Sequence, residues 1–234
     1  MSARQRIDVV VPAHDEEDRI ADCLDAVLVA AERLRAERPD VAVGVTVVLD
    51  GCTDDTARIT REYPVEVLET PRVGVGRARS LGVARALQHA PQQDPGTRWL
   101  AHTDADSRVG PGWLVQQADA LAAGVHVLVG AVVPDPDDLD PVVLARWTTA
   151  HPPGAALGHV HGANLGVLAT AYVALGGFDP VPEHEDVRLV ERARALGLRV
   201  DATTELPVVT SGRFDGRTPG GYAEHLRRSY GDAS

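Results

Sequence analysis

Three apolar runs, each closed by carboxylates, constrain this chain more than any other feature. Residues 7–13 form the first, which carries three valines in a row and ends in His14-Asp15-Glu16-Glu17. Residues 41–49 form the second and stop at Asp50-Gly51; residues 99–103 form the third and stop at Asp104-Ala105-Asp106. Runs of this kind are the mark of strands buried on both faces, as in a parallel sheet. Between the first two, Ile20, Cys23, Leu24, Val27 and Leu28 fall on one face of a helix. Residues 65–68 read as a further strand and residues 77–87 as a helix. This alternation specifies an α/β fold, a Rossmann-like open, mostly parallel sheet flanked by helices. In such sheets the ligand crevice lies outside the carboxyl ends of the strands, which is where the acidic side chains fall.

The second half is less regular. Residues 125–133 read as a strand and residues 134–141, Pro134-Asp135-Pro136-Asp137-Asp138-Leu139-Asp140-Pro141, as a solvated loop, since they lack the Gly and Glu of a calcium loop. Residues 167–175 read as a helix stopped by Gly176-Gly177. Residues 185–196 are an amphipathic helix, followed by a strand over 198–202. With no internal repeat, residues 1–234 are expected to form a single domain.

Composition removes whole classes of function. The formal net charge is -11, from 23 basic and 34 acidic residues, and every basic residue is Arg. Without Lys there is no Schiff-base, pyridoxal-phosphate or P-loop chemistry. The acidity also argues against nucleic acid or an anionic membrane as partner. Cys23 and Cys52 are too few for a disulfide framework and read as reduced thiols. Nothing resembles a signal peptide or an integral membrane segment, so a soluble, cytoplasmic protein is expected.

Asp104-Ala105-Asp106 is the strongest local candidate, because two carboxylates at a chain reversal can take a hard cation and a sugar hydroxyl together. The second Asp of a haloacid-type phosphatase is followed two residues on by Thr or Val, and here Arg108 stands there. Helix capping accounts for Thr53, Asp54 and Asp55 but leaves Asp50, at the strand end itself, unexplained. Gly74-Val75-Gly76-Arg77-Ala78-Arg79 opens like a dinucleotide fingerprint, yet Arg79 occupies the position of the third Gly. An Arg there suits a phosphate or a nucleobase carbonyl. His184-Glu185-Asp186 opens a helix, and its carboxylates either complement the helix dipole or supply a general base. Trp99 and Trp113 read as core, and Trp147 as a surface for stacking on an acceptor.

In order, these segments resemble the family 2 glycosyltransferases of GT-A fold. Val10-Val11-Pro12-Ala13-His14-Asp15-Glu16-Glu17 is similar to their V-P-x-x-N-E-E, with Asp15 for Asn, and Asp50-Gly51-Cys52-Thr53-Asp54-Asp55-Thr56 to D-G-S-x-D-x-T, with Cys52 for Ser. Ala78-Arg79-Ser80-Leu81-Gly82 resembles A-R-N-x-G, and Asp104-Ala105-Asp106 their D-x-D. Gly162-Ala163-Asn164 and Gly176-Gly177-Phe178-Asp179 resemble G-x-N and G-G-F-D. Glu185-Asp186-Val187-Arg188-Leu189 resembles E-D-x-D-L, with Arg188 for the second Asp. The similarity covers residues 7 to about 200.

The resemblance implies a nucleotide-binding half over 1–106, a smaller acceptor and catalytic half over 107–208, and a tail over 209–234. It implies a UDP- or GDP-linked sugar donor and a hydroxyl acceptor. Asp50 would accept from the base, with Pro12, Ala13, Asp15 and Glu16 beside the nucleoside and Arg79 on the base or pyrophosphate. Asp104 would hold the ribose and Asp106 would bind Mn²⁺ or Mg²⁺. Gly162, Ala163 and Asn164 would line the pocket between donor and acceptor. Asp186 would be the base, supported by Glu185, and the outcome inversion. The tail lies outside the resembling segments; by sequence order alone Ser211, Arg213 and Arg217 are expected to fold over the donor, with Arg213 on the diphosphate, the alternative being a surface tail. A retaining GT-A transferase and a non-catalytic nucleotide-sugar-binding module are the alternatives.

Overall fold

The computed structural model describes residues 5–89, 94–152, 159–181, 183–214 and 222–230; Arg217 lies outside them. Its strands are β1 (Arg6–Ala13), β2 (Ala42–Asp50), β3 (Glu66–Thr70), β4 (Arg98–His102), β5 (Ser107–Arg108), β6 (Val127–Pro134), β7 (Leu165–Leu168) and β8 (Val200–Thr210). Its helices are α1 (Ile20–Glu37), α2 (Thr56–Thr60), α3 (Val75–His89), α4 (Trp113–Ala122), α5 (Pro141–Ala150), α6 (Ala169–Ala174), α7 (Glu185–Ala195) and α8 (Tyr222–Tyr230). The strands form one sheet in the order β3-β2-β1-β4-β7-β6-β8-β5. β1 to β4 pair in parallel, whereas β7 lies antiparallel to both β4 and β6, so the sheet is mixed beyond the first four strands.

β1 sits inside the sheet with both faces covered. Ile7, Val9 and Val11 pack into the core that includes Cys23, Leu24 and Val27 of α1 and Trp113 and Leu114 of α4. Val10 points to the opposite face, with Val83 of α3, Tyr172 of α6 and Leu189 of α7. Alternation along the strand thus feeds two cores from one segment. α3 lies directly on the sheet because residue 82 is Gly: a Cβ there would stand 2.5 Å from Val10 Cγ1 and 2.9 Å from Val48 Cγ2. That close approach sets the height of Arg79, one turn earlier on the same helix.

Three local readings are corrected. The start of the expected helix over 167–175 is strand: Leu165 and Val167 are buried in β7 and the helix begins only at Ala169. A short apolar run carries no period that separates a buried strand from a buried helix. Thr53 does not cap α2; its backbone N–H donates instead to Asp15 Oδ1 at 2.7 Å. Residues 134–141 are not a solvated loop either. Asp135 is only 3% exposed, accepting from Arg108 Nη1 at 2.8 Å and capping a 3₁₀ turn, while Asp140 caps α5 by accepting from Val142 N–H at 2.8 Å. Both are Asp-Pro pairs, with Pro at the first helical position, which is a start signal written in the sequence.

Candidate active site

The carboxyl ends of β1, β2 and β4 open into a cleft of about 1250 Å³. Pro12, Ala13, Glu16, Asp50, Asp104 and Asp106 line it from the first half, and Gly162, Ala163, Glu185, Asp186 and Arg213 from the second. Arg79 reaches it from α3 and is 2% exposed. Its Nε donates to Glu185 Oε1 at 3.1 Å, Nη1 to the Gly162 carbonyl at 3.0 Å and Nη2 to Asp104 Oδ1 at 2.5 Å. Each of the three nitrogens holds a partner, so Arg79 ties the D-A-D turn to α7. Gly162 is part of that joint, since a Cβ there would lie 2.3 Å from Arg79 Nη2.

Asp50 turns both carboxylate oxygens to the loop before α3, accepting from Val73 N–H at 2.6 Å and Gly74 N–H at 3.0 Å. Asp186 accepts from Gly162 N–H at 2.5 Å and from Val187 N–H at 2.7 Å. Burial pushes the Glu185 and Asp186 carboxyls above their ordinary range, against the opposing pull of Arg79. Burial, with Asp104 adding like charge, pushes Asp106 up to about 6, while Arg213 draws it down. Arg213 donates from Nη1 to Glu16 Oε2 at 2.7 Å and from Nη2 to Glu16 Oε1 at 2.5 Å. The same Nη2 lies 3.0 Å from Asp106 Oδ2.

Two residues expected at the donor lie outside the cleft lining. Asp15, with φ of 51°, folds onto the β2–α2 turn through Thr53, whose N–H holds its carboxyl below the ordinary range. Asn164 is 1% exposed and works as a tie: Trp113 Nε1 donates to it at 2.9 Å, and it donates to the carbonyls of Ala131 at 2.9 Å and Leu206 at 3.3 Å. Trp147 lines the cleft, but His151 is stacked on it with ring centroids 4.5 Å apart, which covers one ring face. His14, Thr210, Ser211 and Tyr222 also line the cleft. His14 sits inside the first motif, whereas nothing in the local sequence marks Tyr222.

His102, at the end of β4 beneath this floor, has no exposed surface, and neither ring nitrogen has a hydrogen-bond partner. Its neutral ring meets Phe178 edge-on with centroids 5.0 Å apart. Burial, helped by the charge of Arg79, holds its pKa well below 6.5. The unfolded chain therefore takes up this proton first as the pH falls. Stability present above pH 6.5 should be lost below it, at up to about 1.4 kcal/mol per pH unit. Thermal unfolding of parent and His102→Leu at about pH 7.5 and about pH 5.5 tests this: the parent's melting temperature should fall further than the variant's. The difference cancels the opposite pull of the buried carboxylates, which are common to both proteins.

A sheet whose parallel strand ends carry a D-x-D turn, facing a helix that opens with two carboxylates, defines the GT-A class. The chain belongs to glycosyl transferase family 2, whose sequence profile matches residues 8–173. No curated protein sequence matches it. Among solved structures, it is similar to the mannosyltransferase PcManGT from Pyrobaculum calidifontis, solved with GDP-Man and Mn²⁺, at 20% identity and a TM-score of 0.65, over 98% of this chain and 70% of that one. It is similar to glucosyl-3-phosphoglycerate synthase from Mycobacterium tuberculosis, solved with Mn²⁺, UDP and glucosyl-3-phosphoglycerate, at 19% identity and a TM-score of 0.60, over 89% and 73%. S. aureus TarS matches at 15% identity and a TM-score of 0.63 over 88% of this chain, which spans 37% of the TarS chain. Among the described residues, no helix is long and apolar enough to cross a membrane.

Proposed function

We propose that this chain transfers a sugar from a UDP- or GDP-linked donor to an acceptor hydroxyl, with Mn²⁺ or Mg²⁺ as its metal ion and inversion at the anomeric carbon. The observation that carries the reading is the buried Arg79, whose one guanidinium joins Asp104 of the D-A-D turn to Glu185 beside Asp186. Donor-holding and acceptor-activating carboxylates then belong to one network in one cleft.

The residues present fit a hard divalent ion. Asp106 and Glu16 converge on a single cation, the guanidinium of Arg213, and both offer only oxygen. When bound, the ion would neutralise charge on the departing diphosphate. The remaining roles fall to side chains. Asp50 braces the loop beside the nucleoside, and Asp104, one of whose oxygens is held by Arg79, offers the other to a ribose hydroxyl. Asp186 takes the proton of the acceptor hydroxyl as that oxygen bonds to the anomeric carbon and the carbon–diphosphate bond breaks. Its raised proton affinity suits it to the task.

UDP or GDP should bind much more tightly in Mn²⁺ than in chelator, and Asp106→Ala should erase the difference. Titration calorimetry checks this, and equal affinity in both buffers would remove the metal from the reading. NMR of the glycoside product, whose anomeric configuration is fixed by the new bond, tests inversion, which retention at the anomeric carbon would overturn.

A further inference from the structure

The Glu16–Asp106 pair holds a cation, the Arg213 guanidinium, to which the reading above gives no role in the reaction. We propose that these two carboxylates are together the seat of the divalent ion and that Arg213 is its resident substitute, present when the metal is absent and displaced when it binds. This rests on the assignment of the metal to Asp106 and extends it to Glu16 and to the order of events.

Arg213 grips Glu16 with both terminal nitrogens, at 2.7 and 2.5 Å, and reaches Asp106 at 3.0 Å with one of them. Two carboxylates that meet on one guanidinium nitrogen set like charges side by side, and a cation between them offsets that repulsion. A guanidinium satisfies that need, but its nitrogens stand where a metal ion would require the same oxygens at about 2.0–2.6 Å. The two occupants exclude one another.

The surroundings favour exchange by side-chain motion alone. Ser211 N–H donates to the Asp106 carbonyl at 3.1 Å, and Gly212 N–H donates to Asp138 Oδ2 at 2.9 Å. Asp138 is in turn held by Arg19 Nη2 at 2.6 Å. The backbone is thus anchored at residues 211 and 212, immediately before Arg213, and the guanidinium swings from that root. Displaced by a metal ion, it is left beside the place where the diphosphate is expected, and a planar fork pairs well with phosphate oxygens. Metal and nucleotide then favour each other's binding: the metal frees the arginine, and the nucleotide gives it a new anionic partner.

The test is Mn²⁺ binding to the nucleotide-free protein, read as the loss of the free-ion paramagnetic resonance signal, for the parent, Arg213→Met, Arg213→Lys and Asp106→Asn. If the arginine-closed form holds about nine-tenths of the parent molecules, Arg213→Met should bind Mn²⁺ about ten-fold more tightly. Arg213→Lys, which keeps the charge but loses the fork, should fall between. If Met at 213 does not fold without metal, the Lys variant carries the comparison, and Mn²⁺ should raise its melting temperature more than the parent's. Parent-like or weaker Mn²⁺ binding in both position-213 variants, with binding still lost in Asp106→Asn, overturns the exchange and leaves the metal assignment standing. Parent-like binding in Asp106→Asn overturns the metal assignment itself, and the exchange with it.

Discussion

Sugar transfer by Asp186→Asn should fall about 10²–10⁴-fold, the usual worth of a general base, while affinity for nucleotide and metal stays close to the parent's. The substitution keeps the shape of the side chain but cannot take the acceptor proton. It also gives up one acceptor oxygen. The parent carboxylate receives N–H groups from both Gly162 and Val187, and an amide can answer only one of them. A stability loss of about 1–3 kcal/mol should accompany the rate loss. The parent's rate should drop on the acid side as Asp186 protonates, at a pH above the ordinary Asp range because burial raises its pKa. That acid limb should vanish in the Asn variant. Transfer rates with calorimetry in parallel decide the matter. Near-normal turnover would make Asp186 a helix-start residue that complements the α7 dipole.

Arg79→Met should cost the protein about 3–5 kcal/mol of stability, enough to threaten folding. Removing the guanidinium leaves Asp104, Glu185 and the Gly162 carbonyl without their shared partner, and most of this occurs out of contact with water. Lys cannot replace it, because one ammonium nitrogen cannot stand within reach of acceptors spread over three guanidinium nitrogens. Denaturant unfolding of Arg79→Met, Arg79→Lys and Glu185→Gln gives the comparison. Glu185→Gln keeps an acceptor for Nε and should lose less than either position-79 variant. Equal, small losses in all three would mean that the network is not a support of the fold.

The parallel half of the sheet was readable because strands covered on both faces leave unbroken apolar runs. The carboxylates at their ends were readable because they break those runs abruptly. Residues 165–168 escaped because their apolar character continues into α6, so no boundary shows. The side-chain roles of the site were less accessible. Arg79 reads as a base or phosphate ligand from its place near a helix start, and its bonds to residues 162 and 185, far away in the chain, leave no local trace. Arg213 meets Glu16 across 197 positions, a pairing with no local trace. Asp135 and Asp140 are the opposite case, since the Asp-Pro start signal was present and their acidity drew attention away from it.

The seam between the two halves of the chain has a further consequence. β4 and β7 join them in one uninterrupted sheet, and Asn164 laces α4 to the backbone of β6 and β8 just behind that seam. Halves stitched in this way are built as one frame and not as two separate jaws. Entry and exit are matters of traffic at the rim, where α5 and α8 line the cleft outside the stitched frame. Swapping α5 and α8 between relatives should therefore change which acceptor is admitted while leaving the nucleotide's berth untouched.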